Sequence, residues 1–187
     1  MNFDKVMSGL YEEADAILGG IHKHKILWDW LDLRTAFEGS PHREAQDIAL
    51  RGPTLRMGST LSDLQNEVLC SNYVVMAQFP YIYQVCLNIM YHVRGEALGR
   101  VVITKLKPGG KIYPHKDEGE AADLYDRYHL VLQGDEGNTF IVNGEKRVML
   151  EGELWWVNNH DLHSVENRGK VDRIHMIVDV LRVSYGR

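Results

Sequence analysis

Residues 173–180 read Arg-Ile-His-Met-Ile-Val-Asp-Val, and the alternation of polar and apolar side chains in this stretch decides the fold class. Successive side chains of a β-strand point to opposite faces, so one face is wholly apolar while the other carries Arg173, His175 and Asp179. We predict that the apolar face packs under N-terminal helices and that the polar face lines the interior of a barrel.

The second half of the chain contains further short runs of β-forming residues, separated by turn residues at a spacing of roughly 8–12 positions. Runs of this kind are typical of a sandwich or a small barrel. Asn143-Gly144 is a strong hairpin signal, because both central residues of a type I′ turn need positive φ. The predicted strands are 101–106, 128–133, 139–142, 145–150, 154–157, 163–166 and 173–183.

The first half of the chain is predicted to be largely helical, with one weak strand candidate over 47–51. Since the sequence has no linker and no internal repeat, we predict a single domain over 1–187. Its N-terminal part, 1–98, would be mostly helical, and 99–183 would form the β core. The predicted helices cover 3–18, where Gly19-Gly20 supplies a stop, then run from a cap at Ser59 or Thr60 to Leu69, and from Pro80 to about Val93.

The composition is that of an ordinary globular protein and disfavours several classes. The chain has 187 residues and a mass of 21.5 kDa, with a net charge of -5 and a pI near 6.0. The sequence has no excess of basic residues, which disfavours nucleic acid as a partner but does not exclude a local groove that binds it. Cys70 and Cys86 match neither a metal site nor a disulfide framework, so we predict structural thiols. Without a secretory signal or a membrane span, we expect a cytoplasmic protein; its oligomeric state has no signal in the sequence.

His115, Asp117 and His163 are the candidate metal ligands. On an extended segment, residues two apart project to the same side, so His115 and Asp117 can reach one ion together. A glycine-rich turn at Pro108-Gly109-Gly110 places this pair at the mouth of the barrel, and antiparallel passes can bring His163 alongside. Two imidazoles and a carboxylate form the facial triad of Fe(II) oxygenases, which leaves positions open for oxygen and a bidentate co-substrate. The alternative is that the three residues lie on the surface and never meet.

Arg173 is the candidate for binding an acidic co-substrate beside the metal. Its guanidinium would be costly inside the barrel unless a carboxylate met it, and the guanidinium fork suits that role. The alternative is an ion pair of Arg173 with Asp179 or Glu166. Arg127 and His129 point to a common side of their strand, where they either contact the other end of a dicarboxylate or form a solvated strand end.

The stretch from Arg100 to Asp179 resembles the aspartyl/asparaginyl β-hydroxylase family of Fe(II)- and 2-oxoglutarate-dependent oxygenases. No single motif would suffice, but the order and spacing of the motifs are specific. They are Leu106-Lys107-Pro108-Gly109-Gly110-Lys111-Ile112, His115-x-Asp117, Arg127-Tyr128-His129-Leu130, Gly152-Glu153-Leu154-Trp155, and His163-Ser164-Val165-Glu166-Asn167 leading to Arg173.

The resemblance implies a mainly β fold, in which a double-stranded β-helix core of the jelly-roll, cupin-like type is supported by α-helices. It implies that His115, Asp117 and His163 bind catalytic Fe(II), and that Arg173 binds the distal carboxylate of 2-oxoglutarate. Some members of the family lack the carboxylate ligand, so Asp117 places this chain with the oxygenases that use three ligands.

By the same resemblance, Arg127 and His129 also help to hold the co-substrate. The implied reaction consumes O2 and 2-oxoglutarate and hydroxylates an unactivated carbon of an amino acid, a peptidyl residue or a small metabolite. Asn158, Asn159 and Asp161 lie beside the second histidine and are candidates for orienting the imidazoles, or else simple loop residues.

Two other classes of function stay open: a cupin-type metal-dependent isomerase or dioxygenase that does not use 2-oxoglutarate, and a non-enzymatic ligand-binding barrel. The identity of the substrate is not encoded in any motif. We expect its contacts to come from the N-terminal half and from the acidic loop 118–126, which could act as a lid. The basic candidates for a substrate carboxylate or phosphate, or else surface cations, are His42, Arg43, Arg51 and Arg56.

Overall fold

A computed structural model of the chain describes residues 1–24, 27–32, 34–56 and 58–182. The helices in this part of the chain are α1 (Tyr11–Lys23), α2 (Leu61–Asn66), α3 (Pro80–His92) and α4 (Glu120–Leu124), with a 3-10 helix at Val74–Gln78. The strands are β1 (Phe3–Met7), β2 (Ala45–Pro53), β3 (Cys70–Asn72), β4 (Ala97–Leu106), β5 (Lys111–His115), β6 (Tyr125–Gln133), β7 (Asn138–Val142), β8 (Glu145–Arg147), β9 (Leu154–Val157), β10 (His163–Asn167) and β11 (Arg173–Leu181).

The strands form two antiparallel sheets. The large sheet has the order β1-β9-β6-β11-β4-β2-β3, and the small sheet has the order β5-β10-β7-β8. An apolar cluster joins the sheets, in which Phe140 and Val165 of the small sheet pack with Val131 and Val157 of the large one. This arrangement confirms the predicted fold class, a double-stranded β-helix supported by helices.

Strand β11 lies in the middle of the large sheet, between β6 and β4. Its apolar face enters the main core with the buried sides of α1 and α3, as the alternation predicts. Its other face points between the sheets, where Arg173, His175 and Asp179 are all at most 2% exposed. The central strand therefore carries a buried polar row into the barrel interior.

The predicted helix over 3–18 is wrong at both ends. Residues Phe3–Met7 form β1, which pairs with β9 at the edge of the large sheet, and Gly9, with φ +90°, separates the strand from α1. Gly19 and Gly20 do not stop the helix, which continues to Lys23. The physical reason is tertiary packing, because Ile21 is buried and the bare Cα of Gly20 lies against the Phe79 ring.

Other elements of the N-terminal half agree better with the sequence. The weak strand candidate 47–51 lies within β2, α3 starts at Pro80, and α2 starts with a capping box between Thr60 and Asp63. This half nevertheless supplies three strands of the large sheet, namely β1, β2 and β3. The prediction that residues 1–98 are mostly helical missed two of them, β1 and β3.

In the second half, the predicted strands are found with small shifts of their ends, and two elements are new. Strand β8 ends at Arg147 and not at position 150. The last strand was predicted to end at position 183, which lies outside the described residues, and β11 ends at Leu181. Strand β5 ends at His115, two residues before Asp117, and α4 occupies most of the acidic loop predicted over 118–126. The hairpin at Asn143-Gly144 is confirmed, with φ values of 50° and 81°.

Neither cysteine forms a disulfide. Burial raises the pKa of Cys70 to about 11 and that of Cys86 to about 12, as expected for unreactive structural thiols. Among the described residues, no helix combines the length and the apolar character that crossing a bilayer requires. That the chain forms a single domain stays a prediction.

Candidate metal centre

The antiparallel pairing of β5 with β10 brings the two candidate histidines together. His115 ends β5, His163 begins β10, and the two residues are register partners with ring centroids 4.2 Å apart. Asp117 lies just beyond β5, where its backbone N–H donates to the carbonyl of Asn159 at 3.0 Å. One ligand atom from each of the three residues lies within 4.8 Å of the others. The prediction that these residues meet is therefore confirmed.

Both imidazoles are oriented through their Nδ1 atoms. Nδ1 of His115 lies 2.7 Å from the carbonyl of Tyr113, and Nδ1 of His163 lies 2.9 Å from the carbonyl of Asp161. Because a carbonyl can only accept, each Nδ1 carries the proton and each Nε2 presents a lone pair. These Nε2 atoms lie 3.5 and 3.9 Å from Oδ1 of Asp117.

The donor set fits a divalent metal ion. Nε2 of His115 is buried and has no hydrogen-bond partner in the part of the chain that the structure describes. Burial alone would raise the pKa of Asp117, but Arg127 and the two imidazoles outweigh it and hold that pKa well below its ordinary value. A carboxylate and two imidazole nitrogens thus converge on one point, which is the ligand chemistry of the facial triad.

Polar groups next to the proposed ligands hold Asp117 and His163 in place. The side-chain amide of Asn159 donates to Oδ2 of Asp117 at 3.1 Å, and the guanidinium of Arg127 contacts the same oxygen. Asp161 orients His163 through its backbone carbonyl, while its carboxylate accepts from Asn158 at 3.0 Å. Of the three residues that the sequence marked for orienting the imidazoles, only Asp161 does so, through its backbone carbonyl, whereas Asn159 holds Asp117 and Asn158 contacts Asp161.

Arg127 bridges two carboxylates. Its Nε and Nη2 donate to the two oxygens of Asp179 at 2.8 and 2.9 Å, and its Nη1 contacts Asp117. Burial lowers the pKa of Arg127, but the two carboxylates reverse that effect and raise it. A solvated strand end is thus wrong for Arg127, whose side chain is 15% exposed, and for His129, which is 4% exposed. Their contact with a co-substrate stays a prediction.

Arg173 is buried without a carboxylate partner among the described residues. The predicted alternatives are wrong, because Asp179 binds Arg127 while Glu166 pairs with Lys111 and Arg168. Nη2 of Arg173 instead lies 3.0 Å from Nδ1 of His175. Burial lowers its pKa to about 9. A guanidinium in this position lacks the anion that normally accompanies a buried cation.

The space around Arg173 is lined by uncharged rings. The Phe140 ring lies 5.6 Å from the Arg173 guanidinium carbon, and the ring centroids of His129 and His175 lie 5.7 Å apart. Burial, followed by the nearby Arg173 charge, lowers the pKa of both imidazoles well below the ordinary value, so both are neutral. Nδ1 of His129 is buried without a hydrogen-bond partner among the described residues.

Two neighbouring cavities meet at the metal ligands. A small inner cavity of about 30 Å³ is lined by His115, Asp117 and His163 and also by Arg173. A larger outer cavity of about 410 Å³ shares His115 and Asp117 but is not lined by Arg173. The metal centre therefore opens toward two separate spaces.

The outer cavity contains side chains that the sequence analysis named and others that it missed. His42, whose ring lies 4.5 Å from that of His115, and Arg51 line it, whereas Arg43 and Arg56 are exposed. Arg100 and Asp47 were missed. Asp47 begins the alternating stretch 47–51, so the rule used for β11 would have found it, whereas Arg100 precedes the apolar run 101–103 and has no such signal.

Comparison with known proteins agrees with this geometry. Residues 70–183 match the family model described as aspartyl/asparaginyl β-hydroxylase. None of the curated proteins is similar enough in sequence to count as a match.

Three solved structures share the fold over nearly the whole chain. A prolyl-4-hydroxylase from Pseudomonas putida has 12% identity and a TM-score of 0.55, covering 98% of this chain and 94% of its own. An oxidoreductase of the 2OG-Fe(II) oxygenase family from Burkholderia pseudomallei has 13% identity and a TM-score of 0.54, covering 94% and 91%. A viral collagen prolyl hydroxylase from Paramecium bursaria Chlorella virus-1, solved with 2OG, has 14% identity and a TM-score of 0.53, covering 98% and 97%.

Proposed function

Because this chain belongs to the aspartyl/asparaginyl β-hydroxylase family, we propose that His115, Asp117 and His163 hold Fe(II) and that Arg173 binds 2-oxoglutarate in an oxygenase reaction. The family consists of Fe(II)- and 2-oxoglutarate-dependent enzymes, and the chain is accordingly an oxygenase of that class. One observation carries the assignment of residues. The buried Arg173, which lacks a carboxylate partner among the described residues, lines the inner cavity together with the three ligands.

The co-substrate is a dicarboxylate, and the inner cavity is lined both by the guanidinium of Arg173 and by the proposed metal ligands. The guanidinium fork of Arg173 would donate two parallel hydrogen bonds to the distal carboxylate. The other carboxylate would lie at the metal ligands, and His129 lines the same cavity with a neutral ring whose Nδ1 has no hydrogen-bond partner among the described residues. Arg127 is held by Asp117 and Asp179, so its share in binding would be to fix the ligand carboxylate.

When bound, Fe(II) supplies the redox chemistry that couples the oxidative decarboxylation of 2-oxoglutarate to succinate and CO2 with the hydroxylation of a carbon. The residues of the chain hold the reacting groups in position and keep water away from them. In each histidine, the hydrogen bond from Nδ1 to a backbone carbonyl fixes the direction in which Nε2 points. Asp117 is held by Asn159 and Arg127. The walls of the inner cavity include Ile112, Phe140, Val157, Val165 and Ile177, which exclude water from the reacting groups.

The outer cavity is the proposed site of the primary substrate. Its volume of about 410 Å³ falls within the usual range for small-molecule sites, roughly 300–1,000 Å³. We propose a small molecule, a free amino acid or a single peptidyl side chain as the substrate, with hydroxylation as the reaction. The cytoplasmic location stays a prediction.

The test is spectroscopic. Adding Fe(II) and then 2-oxoglutarate under anaerobic conditions should produce a weak visible charge-transfer band, which His115→Ala and Asp117→Ala should abolish. His160→Ala is the matched control, because His160 is an exposed turn residue that lies 3.7 Å from Asp123 and belongs to the same loop as His163. Iron binding without a spectral response to 2-oxoglutarate, and without succinate in air, would rule out the proposal and favour a cupin-type enzyme.

A further inference from the structure

A row of charged side chains crosses the inner face of the large sheet. It starts with Arg51 on β2 and Arg100 on β4, continues with Asp179 on β11 and Arg127 on β6, and ends at Asp117. Asp179 and Arg127 are direct register partners, and Asp179 lies beside Arg100 at the irregularity where β11 pairs with β4. All five side chains line the outer cavity.

Positive charge is in excess at the end of this row that lies away from the metal ligands. Both oxygens of Asp179 accept from Arg127, and Asp117 belongs to the metal cluster. Neither Arg51 nor Arg100 forms an ion pair or a hydrogen bond with a carboxylate in the described part of the chain. Arg51 donates to the carbonyls of Leu98 and Cys70 at 3.2 and 2.7 Å and to Asn72 Oδ1 at 2.9 Å, all of which are uncharged acceptors.

Arg100 has spare hydrogen-bonding capacity. Its Nη2 donates to the carbonyl of Leu64, while its Nε is buried and has no partner among the described residues. Burial lowers its pKa, and the charge of Asp179 opposes that shift only in part. A buried donor without an acceptor costs roughly 1–3 kcal/mol, more for a charged group, so such a donor needs a ligand or a water.

We propose that the primary substrate is an organic anion, and that Arg100, supported by Arg51, binds its carboxylate or phosphate in the outer cavity. Arg173 does not line this cavity, so the substrate anion and the co-substrate have separate cationic groups. The reaction of this anion at the metal rests on the proposed function, whereas its binding by Arg100 does not. The rest of the cavity wall includes Leu64, Val102 and Ile177, which suit an apolar body between the anion and the metal ligands.

The test uses three probes that share one ring: benzoate, phenyl phosphate and benzamide. Each is titrated calorimetrically into protein that holds Fe(II) and 2-oxoglutarate under nitrogen, so that the site at Arg173 is filled. We expect at least one anion to bind about tenfold or more tightly than benzamide, as expected for a charge-assisted bond. Preference for benzoate or for phenyl phosphate would distinguish carboxylic acids from phosphates.

Variants assign this preference to a residue. Arg100→Gln should bring the anion affinity down to that of benzamide, Arg100→Lys should retain part of the preference, and Arg51→Gln should weaken it. Arg56→Gln removes the same charge from an exposed residue outside the cavity and should change nothing. Equal binding of all three probes by the native protein, or an unchanged preference in Arg100→Gln, would overturn the proposal. If Arg100→Gln does not fold, the Arg51→Gln and Arg100→Lys titrations decide it in the same way.

A repeat without metal and co-substrate separates this inference from the proposed function. The anion preference should persist in that protein and should survive Arg173→Ala. An Arg100-dependent preference in a protein that fails to bind Fe(II) and 2-oxoglutarate would overturn the proposed function alone. Normal co-substrate binding without any anion preference would overturn the substrate inference alone.

Discussion

Asp117 and Asp179 share one guanidinium, that of Arg127. Two hydrogen bonds of 2.8 and 2.9 Å fix Arg127 to Asp179 on the central strand β11, and the remaining nitrogen contacts the metal-ligand carboxylate. The position of Asp117, which follows the end of a short strand, is thereby coupled to the most buried strand of the large sheet. Arg127 therefore connects the proposed ligand Asp117 to the buried central strand β11, which holds it in place.

Replacing Asp179 by asparagine should therefore disturb the metal centre from a distance. The change keeps the shape of the side chain but leaves the buried Arg127 with one carboxylate instead of two. Breaking a buried pair of this kind costs about 3–5 kcal/mol, and we expect a loss of folding stability toward the lower end of this range. Urea denaturation measures that loss, and a metal titration should show weaker binding. Asp123→Asn, at a side chain that is 80% exposed, should leave both measurements unchanged.

Asn159→Ala should weaken metal binding with little loss of stability. The Asn159 amide donates to Oδ2 of Asp117, and partners of this kind typically contribute roughly 10–100-fold to metal affinity. The Asn159 carbonyl also accepts from Asp117, and this backbone bond would survive the substitution. Competition of the protein with a chromophoric chelator measures the affinity, with the exposed Asn88→Ala as the control. An affinity equal to that of the native protein would show that Arg127 and the backbone bond to residue 159 suffice to position Asp117.

The sequence predicted those parts of the molecule in which local pattern and tertiary contact agree. The alternation of β11 predicted both its apolar face and its buried polar row, and the two-residue spacing of His115 and Asp117 at the end of β5 predicted that their side chains lie close together. Asn143-Gly144 predicted its hairpin because its backbone conformation is intrinsic to the residues.

The parts that the sequence did not predict depend on distant partners. Phe3–Met7 fits a helical pattern, and only the free edge of β9 makes it a strand. The pair of Arg127 with Asp179 requires the register of β6 against β11, which no local signal encodes. Arg173 was assigned correctly to the interior, but whether a carboxylate met it there depended on where Asp179 and Glu166 point.

Arg173→Met should stabilise the protein without ligand while removing co-substrate binding. The native side chain is 2% exposed and has no carboxylate partner among the described residues, and burial lowers its pKa to about 9. Replacing such a cation by an apolar chain of similar length should raise the free energy of unfolding by about 1 kcal/mol or more. Thermal unfolding measures this effect, and adding 2-oxoglutarate to the Fe(II)-loaded protein should give further stabilisation in the native protein only. Iron binding should persist in the variant; a parallel loss of iron would make Arg173 a structural residue.

Glu153→Gln should flatten the acid dependence of stability. The Glu153 carboxylate accepts from the indole of Trp155 at 2.9 Å and from the N–H of Leu150 at 2.8 Å, and it pairs with Lys5 of β1. Burial alone would raise its pKa, but these three donors outweigh it and lower the pKa below the ordinary value of 4.5. The unfolded chain therefore binds the proton more readily than the folded one. The stabilisation from this group is complete above about pH 4.5 and is lost as the pH falls through the lowered pKa.

The side-chain amide introduced by Glu153→Gln cannot titrate and loses the charge-assisted bonds, so the substitution should cost on the order of 1–2 kcal/mol at neutral pH. The difference in stability between the native protein and the variant should then shrink toward acidic pH. Denaturant unfolding at a series of pH values measures this difference, with the exposed Glu136→Gln as the control. A difference that stays constant over the acidic range would mean that Glu153 stabilises β1 and β9 by shape and packing, and that its charge contributes nothing.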